Sequence, residues 1–247
     1  MSKCRLCLQE QKLCESHIIP EFFYKPMYDK DHKIIFLNND PLENIKYRYK
    51  GVYEKLLCED CERRIKKHED YFINQLNNDK KNRFYEDSEK IIYHSFDYPQ
   101  FRLFTLSILW RASISKHPIF KEVEIGRNEE RVRNMLLNED SGKYDDFAIL
   151  MSFITQGEKK IADDLITAPE LMKIKDEWAY RFVFGGFVWV FFIGIINDNQ
   201  IKKLVLQRDG SIVMVKKKLD EIDFLIQYGL ELHEQGKLGI DLTKLKR

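Results

Sequence analysis

Two pairs of cysteines near the start of the chain carry the clearest chemical signal in the sequence. Both pairs have the Cys-x-x-Cys spacing, and they are Cys4 with Cys7 and Cys58 with Cys61. Four thiolates form a complete ligand set for a tetrahedral structural zinc ion. The alternatives are a redox pair and unligated buried cysteines, but neither pair lies in a thioredoxin-like strand-to-helix unit. The spacing therefore predicts Zn²⁺ bound by the four cysteines, closing a loop of about fifty residues.

A histidine inside this loop is the first candidate for catalysis. His17 lies in a predicted short strand, residues 12–19, which Pro20 ends. A helix is predicted to begin at Cys58 and to reach about Asn77, because apolar residues recur there at helical spacing. In this order of elements His17 faces the helix across a small cleft, where it could deprotonate the water that attacks a phosphodiester. The ordinary alternative is a packed, hydrogen-bonded strand histidine.

The rest of this N-terminal region contains a predicted hairpin. Residues 34–37 form its first strand, and residues 47–53 form its second, in which aromatic and basic residues alternate. Such alternation suits contact with the backbone and bases of single-stranded nucleic acid. It is also the ordinary pattern of a half-exposed strand, and that is the interpretation we favour.

Beyond a polar break at residues 77–82, the pattern predicts helices followed by an antiparallel sheet. Helices are predicted at residues 98–116 and 129–137, and strands at residues 147–155 and 178–196, the latter divided near Gly185-Gly186. A hairpin is predicted at residues 203–216, turning at Asp209-Gly210. A closing helix at residues 220–235 faces inward through Ile222, Leu225, Ile226 and Leu230. The predicted fold class is α+β, with domains at residues 1–80 and 81–247.

Composition places few limits on the function. The formal net charge is +1, so any contact with nucleic acid must come from a local patch rather than from a global field. The chain shows no secretory signal and has too few cysteines for a disulfide framework, so a reducing cytoplasm is expected. The apolar run at residues 182–196 is shorter than the roughly 20 residues that a membrane-spanning helix needs, so no membrane partner is expected.

Three stretches carry a resemblance to a known family. They are the first cysteine pair, the His-Ile-Ile-Pro segment at residues 17–20, and the Leu-Leu-Cys-x-x-Cys segment at residues 56–61. Together they resemble the zinc-stapled branch of the HNH (ββα-metal) endonucleases, over residues 1–75. A wider string, residues 16–22, 54–62 and 106–113, is similar to uncharacterised bacterial HNH-like proteins, some associated with antiphage defence. The resemblance implies a small zinc-bound ββα-metal-like N-terminal unit with His17 as the general base.

At three positions the chain departs from the family pattern. Ser16 stands where the family has an acidic or histidine metal ligand, Tyr53 lies near the place of its middle asparagine, and Glu62 replaces its final histidine. Because a carboxylate is a suitable ligand for Mg²⁺ or Mn²⁺, Glu62 is the second candidate catalytic residue. Glu69 shares a helix face with Glu62, so a relocated metal site that includes Glu69 or His68 is possible. The alternative for these side chains is a solvated helix face.

The resemblance implies a metal-dependent endonuclease that hydrolyses phosphodiester bonds in nucleic acid. Its expected cofactors are structural Zn²⁺ and catalytic Mg²⁺ or Mn²⁺. The basic cluster at residues 63–67 could contact phosphates, or it could be an ordinary exposed face. The alternative function is a catalytically inactive zinc module that binds nucleic acid or a partner protein. In the predicted helix at residues 98–116, Trp110 is expected in the core and Arg111 at the surface or in a buried ion pair, and neither is assigned chemistry.

Overall fold

Three short antiparallel strand pairs build the N-terminal part of the chain. The computed structural model describes residues 1–28, 34–36, 46–48, 51–78, 83–156, 159–160, 165–223 and 225–227. The pairs are β1 (Ser2–Lys3) with β2 (Glu10–Gln11), β3 (Leu13–His17) with β6 (Tyr53–Cys58), and β4 (Ile34–Phe36) with β5 (Lys46–Arg48). The predicted strand at residues 47–53 is thus wrong as one element. Its start pairs with β4, as the predicted hairpin requires, whereas its last residue, Tyr53, belongs to β6 and pairs with His17.

The first helix begins directly after the second strand of the β3–β6 pair. Helix α1 (Glu59–Asn77) has Cys58 at its N-cap and three acidic residues in its first turn, where the helix dipole favours negative charge. Its buried face includes Cys61, Ile65 and Phe72 at helical spacing. The helix predicted from the second cysteine pair to Asn77 is therefore confirmed.

The second helix lies at the centre of the molecule. Helix α2 (Tyr98–Ile114) starts at Asp97, whose side chain accepts a hydrogen bond from the backbone N–H of Gln100 at 3.0 Å. Residues on all of its sides are buried, as expected for a helix that is apolar all round. Phe104 of α2 stacks on Phe72 of α1 with ring centroids 4.4 Å apart. Helix α3 (Asn128–Leu137) follows and packs on α2.

An eight-stranded, mostly antiparallel sheet completes the fold, which is therefore α+β. Its strands are β7 (Arg83–Glu86), β8 (Lys90–Tyr93), β9 (Ile149–Gln156), β10 (Lys159–Lys160), β11 (Glu170–Ile174), β12 (Glu177–Phe184), β13 (Phe187–Phe192) and β14 (Ile212–Lys218). Their order is β11-β12-β13-β9-β14-β8-β7, with β10 paired to β9, and only the β9–β14 pair among the described strands is parallel.

Residues 178–196 could form two strands meeting near Gly185-Gly186 or one long bent strand, and the structure shows the two strands. Both glycines have positive φ values, 61° and 76°, and they join β12 to β13. A Cβ atom on Gly185 would lie 2.3 Å from the ring of Phe23, so the turn also permits close packing of the N-terminal region on the sheet. The Phe23 ring contacts Phe184 edge-on, with centroids 4.7 Å apart. One apolar cluster thus spans both sides of residue 80, and the domain division there remains a prediction.

The predicted hairpin at residues 203–216 is wrong. Its second arm exists as β14, but residues 203–207 follow a short helix, α4 (Asn199–Lys202), and form no strand. The Gln207 side chain donates to the carbonyls of Lys202 and Val205 at 2.7 Å, which keeps this arm irregular. The turn at Asp209-Gly210 is present, yet β14 pairs with β8 on one side and with β9 on the other.

Of the closing helix, the structure describes only the first part. Ile222 and Leu225 are buried as predicted, whereas Ile226 is 40% exposed and does not face inward. Leu230 and the rest of the predicted helix lie outside the described residues. Among the helices of the described ranges, none is both long enough and apolar enough to cross a membrane.

Candidate metal centre and adjoining cavity

The four paired cysteines come together at the N-terminal end of α1. Their sulfur atoms all lie within 4.8 Å of one another, so the group could bind a metal ion such as zinc. The Sγ atoms of Cys7 and Cys58 are 3.8 Å apart, and all four cysteines are free of disulfides. Cys4, Cys58 and Cys61 are buried and Cys7 is half-buried.

Local backbone structure holds the first pair against the second. The β1–β2 pair closes a tight turn around Cys4 and Cys7, in which Leu8 has a φ of 62°. The N–H of Arg5 donates to the carbonyl of Leu56 at 2.9 Å and so ties this turn to β6. The N–H of Cys58 also donates to the Cys4 sulfur at 3.4 Å. The turn and the strand end thus bring the four sulfurs together.

Electrostatics within the group differ from one thiol to the next. Burial raises the pKa of Cys7 and Cys61, and neighbouring cysteine sulfurs add to the rise at Cys61. Burial also acts upward on Cys4, but the backbone N–H of Cys58 and other donors outweigh it, so the pKa of Cys4 is lowered. Since thiolates are the metal-binding form, a cation would have to displace protons from most of this group.

A cavity of about 420 Å³ opens beside the cysteine group. Its described lining combines four carboxylates, three cationic side chains and one histidine: His17, Glu21, Glu59, Glu62, Arg63, Lys66, Glu69 and Arg111. Such a mixture can hold a cation on the carboxylates and a phosphate near the exposed basic side chains.

His17 enters the cavity from the C-terminal end of β3. Pro20 starts a short 3₁₀ segment (Glu21–Phe23) that returns the Glu21 side chain to the histidine. The two side chains meet with His17 Nε2 2.6 Å from Glu21 Oε2. The Tyr28 hydroxyl donates to the other oxygen of Glu21, and burial together with this bond raises the pKa of Tyr28 to about 12. Glu21 is thus held in place from both sides.

Glu62 enters the same cavity from the first turn of α1. The Ser16 hydroxyl, fully buried, donates to Glu62 and accepts from the N–H of Leu57 at 3.2 Å. Burial raises the pKa of Glu62, and the hydrogen bond from Ser16 and the charge of Arg111 only partly oppose this rise. Ser16 therefore holds Glu62 through its hydroxyl and adds no carboxylate to the cavity.

Glu69 and Arg111 form an ion pair in the lining of the cavity. Arg111 comes from α2 and is 1% exposed, and its Nη2 lies 2.7 Å from Glu69 Oε1. Its Nη1 donates to the backbone carbonyl of His17. The sequence predicted a surface or buried ion-paired arginine without chemistry here; the structure shows the buried pair, as a charge within a buried helix requires.

The remaining predicted residues divide between the cavity and other places. His68 points away from the cavity and contacts the side-chain oxygen of Gln100 on α2 through Nδ1, so it does not extend a metal site. Of the basic cluster, Arg63 and Lys66 line the cavity, whereas Lys67 pairs with Glu139. The Tyr53 ring lies 5.9 Å from the His17 ring.

Within the described ranges, the four cysteines are the only group of three or more histidine, cysteine, aspartate or glutamate side chains placed to hold a metal ion. The cavity thus contains no second preassembled set of that size there. No protein-family model matches the chain, and no curated protein or solved structure shows significant similarity to it. The functional argument therefore rests on the residues and their geometry.

Proposed function

We propose that this chain is a metal-dependent endonuclease of the HNH (ββα-metal) type, which hydrolyses phosphodiester bonds in nucleic acid. One observation carries the proposal: His17 at a strand end and Glu62 on the following helix line the same cavity, directly beside the four-cysteine group. The strand pair β3–β6 and helix α1 supply these groups in the order that the resemblance implies. Zn²⁺ at the cysteines has a structural role, because four thiolates leave no open position for substrate.

In this proposal His17 removes a proton from the attacking water. Its Nε2 lies 2.6 Å from Oε2 of Glu21, and this carboxylate orients the imidazole for the transfer. Glu21 also stabilises the imidazolium that forms, as an orienting carboxylate does for other histidine bases. The hydrogen bond from Tyr28 fixes Glu21 in the orientation that this requires.

A divalent cation fits the cavity through Glu62. Mg²⁺ is commonly held by one or two carboxylates together with substrate phosphate oxygens and water, so a preassembled set of three ligands is not needed. When bound, the cation would stabilise negative charge on the phosphate and the leaving oxygen. The exposed side chains of Arg63 and Lys66, on the cavity side of α1, are placed to contact flanking phosphates.

The test is cleavage of plasmid, single-stranded DNA and RNA by the zinc-loaded protein with Mg²⁺ or Mn²⁺. His17→Ala should lower the rate by about 10²- to 10⁴-fold, the usual contribution of a general base. His94→Ala is the matched control, since His94 is exposed and lies outside the cavity lining. Equal rates for His17→Ala and the wild type would remove the role proposed for His17.

A second candidate is a zinc module that binds nucleic acid or a partner protein without cleaving it. The observation that favours it is the hydrogen bond between Ser16 and Glu62, because the family's ligand pair is reduced to one carboxylate. This candidate predicts binding of nucleic acid that needs zinc but neither Mg²⁺ nor Mn²⁺. It also predicts no cleavage of any of the three substrates at any divalent cation concentration.

A further inference from the structure

Arg111 connects the cavity to helix α2, which lies outside β3, the short 3₁₀ segment and α1 that carry the other described cavity residues. It extends from the last turns of α2, and its guanidinium reaches the carbonyl of His17 and the carboxylate of Glu69. Its Nε donates to the carbonyl of Ser107 at 3.1 Å, and Nη2 also contacts the Ser107 hydroxyl at 3.2 Å. Contacts with Ser107 in its own helix thus fix the guanidinium, while Nη1 and Nη2 bind the His17 carbonyl and the Glu69 carboxylate.

A second polar contact joins the same end of α2 to the strand that pairs with β3. Glu54 of β6 accepts hydrogen bonds from the backbone N–H of His117 at 2.7 Å and of Lys116 at 3.2 Å, and from the Ser115 hydroxyl. Because Glu54 lies opposite Ser16 in the β3–β6 register, both strands are held at the His17 end. The C-terminal end of α2 is therefore fastened to the place where the cavity begins.

We propose that Arg111 is a positioning residue, which sets the place of the His17 backbone and of Glu69 in the cavity. The inference rests on the proposed function for its catalytic consequence, but the placement of His17 can be measured without any activity. A planar guanidinium can serve the carbonyl and the carboxylate together, whereas the single ammonium of a lysine at the same depth cannot span both. An ordinary buried ion pair would need only Glu69 and Arg111 and would leave His17 unaffected.

The experiment uses the full chain, zinc-loaded, with the Cε1–H signals of its histidines observed by NMR. The His17 signal is assigned as the one lost in His17→Gln. In Arg111→Lys we expect a displaced or broadened His17 signal with the zinc content of the wild type. We also expect kcat to fall by at least about tenfold with KM changed by less than about threefold, because small misplacements of reacting groups affect mainly the chemical step.

Two further variants separate positioning from folding. Arg133→Lys is the matched control: Arg133 also pairs with a glutamate, Glu130, and donates to an N-terminal carbonyl, that of Leu6, but neither Arg133 nor Glu130 lines the cavity. It should leave the His17 signal and kcat unchanged. If Arg111→Lys does not fold, the double variant Arg111→Gln, Glu69→Gln replaces the buried ion pair by two amides that can bond to each other.

The outcomes are distinct for the two proposals. A displaced His17 signal in Arg111→Lys or in the double variant, with Arg133→Lys as wild type, supports the positioning role. A wild-type His17 signal in both Arg111 variants overturns it, whatever their activity. If the wild-type chain cleaves nothing while Arg111→Lys still displaces the signal, the nuclease function fails and the positioning of His17 by Arg111 stands.

Discussion

Metal binding by the four-cysteine group should release several protons. Unperturbed thiols have a pKa of about 8.5, so they are mostly protonated at pH 7. Burial raises the pKa of Cys7 and Cys61 further, which keeps those two thiols protonated in the metal-free protein. The pKa of Cys4 is lowered, so Cys4 is the thiol that contributes least. We expect about three to four protons to be released for each Zn²⁺ bound near pH 7.

This proton count fixes how steeply the affinity depends on pH. Each released proton changes the apparent binding free energy by about 1.4 kcal/mol per pH unit. Three to four protons therefore correspond to about 4 to 5.5 kcal/mol per unit, or a roughly 10³- to 10⁴-fold fall in Kd from pH 6 to pH 7. The sign follows from the protonation state, since raising the pH removes the competing protons and tightens binding.

Competition with a chromophoric chelator at several pH values measures this slope directly. Cys14→Ser is the matched control, because Cys14 is the one cysteine outside the group and lies half-buried on β3. Cys14→Ser should keep the wild-type pH dependence of the zinc Kd and bind one zinc per chain. Cys58→Ser should bind zinc more weakly and release fewer protons on binding it. If the change of log Kd with pH corresponds to one released proton or fewer in the wild type, a site made of four thiolates is refuted.

Three further predictions concern the cavity and the central helix. Glu21→Gln should lower the cleavage rate by about 10- to 100-fold while zinc content is kept, as measured by single-turnover kinetics, because the amide cannot stabilise a charged imidazole; an unchanged rate would contradict the role of Glu21. Glu62→Gln should abolish Mg²⁺-dependent cleavage yet raise the free energy of unfolding. Because the pKa of Glu62 is raised in the folded protein, its contribution to stability is present below its pKa in the unfolded chain and is lost as the pH rises. The increase in the free energy of unfolding, measured by urea denaturation, should therefore be larger at pH 8 than at pH 5. Asp97→Ala should cost about 1 kcal/mol by removing the N-cap of α2, whereas Asp97→Asn should cost less.

Local signals in the sequence were sufficient for the elements that depend on neighbouring residues. Helix α1 followed from apolar spacing after Cys58, and the β12–β13 turn followed from Gly185-Gly186. The cysteine spacing identified a group whose sulfurs do meet in the fold. In each case the deciding interaction lies within a few residues, or is specified by ligand chemistry that has few alternatives.

Distant partners explain what the sequence did not reveal. The Asp209-Gly210 turn is real, but the choice of partner for β14 depends on β8 and β9, which lie far away along the chain. The sequence predicted a surface or buried ion-paired Arg111 but no place for it in the cavity, since its partners on β3 and α1 become neighbours only after α2 is packed. Tertiary packing decides both features, and no local pattern specifies it.

The closeness of the two candidate metal sites decides how chelation experiments must be interpreted. Cys61 and Glu62 are consecutive on α1, and Ser16, which holds Glu62, also accepts from the backbone beside Cys58. Removing zinc would therefore shift the strand end and helix start that present Glu62. Loss of cleavage in chelator cannot by itself distinguish a catalytic cation from a structural one. Restoration by Mg²⁺ or Mn²⁺ in protein that has kept its zinc is the observation that separates them, because only the carboxylate site prefers these ions.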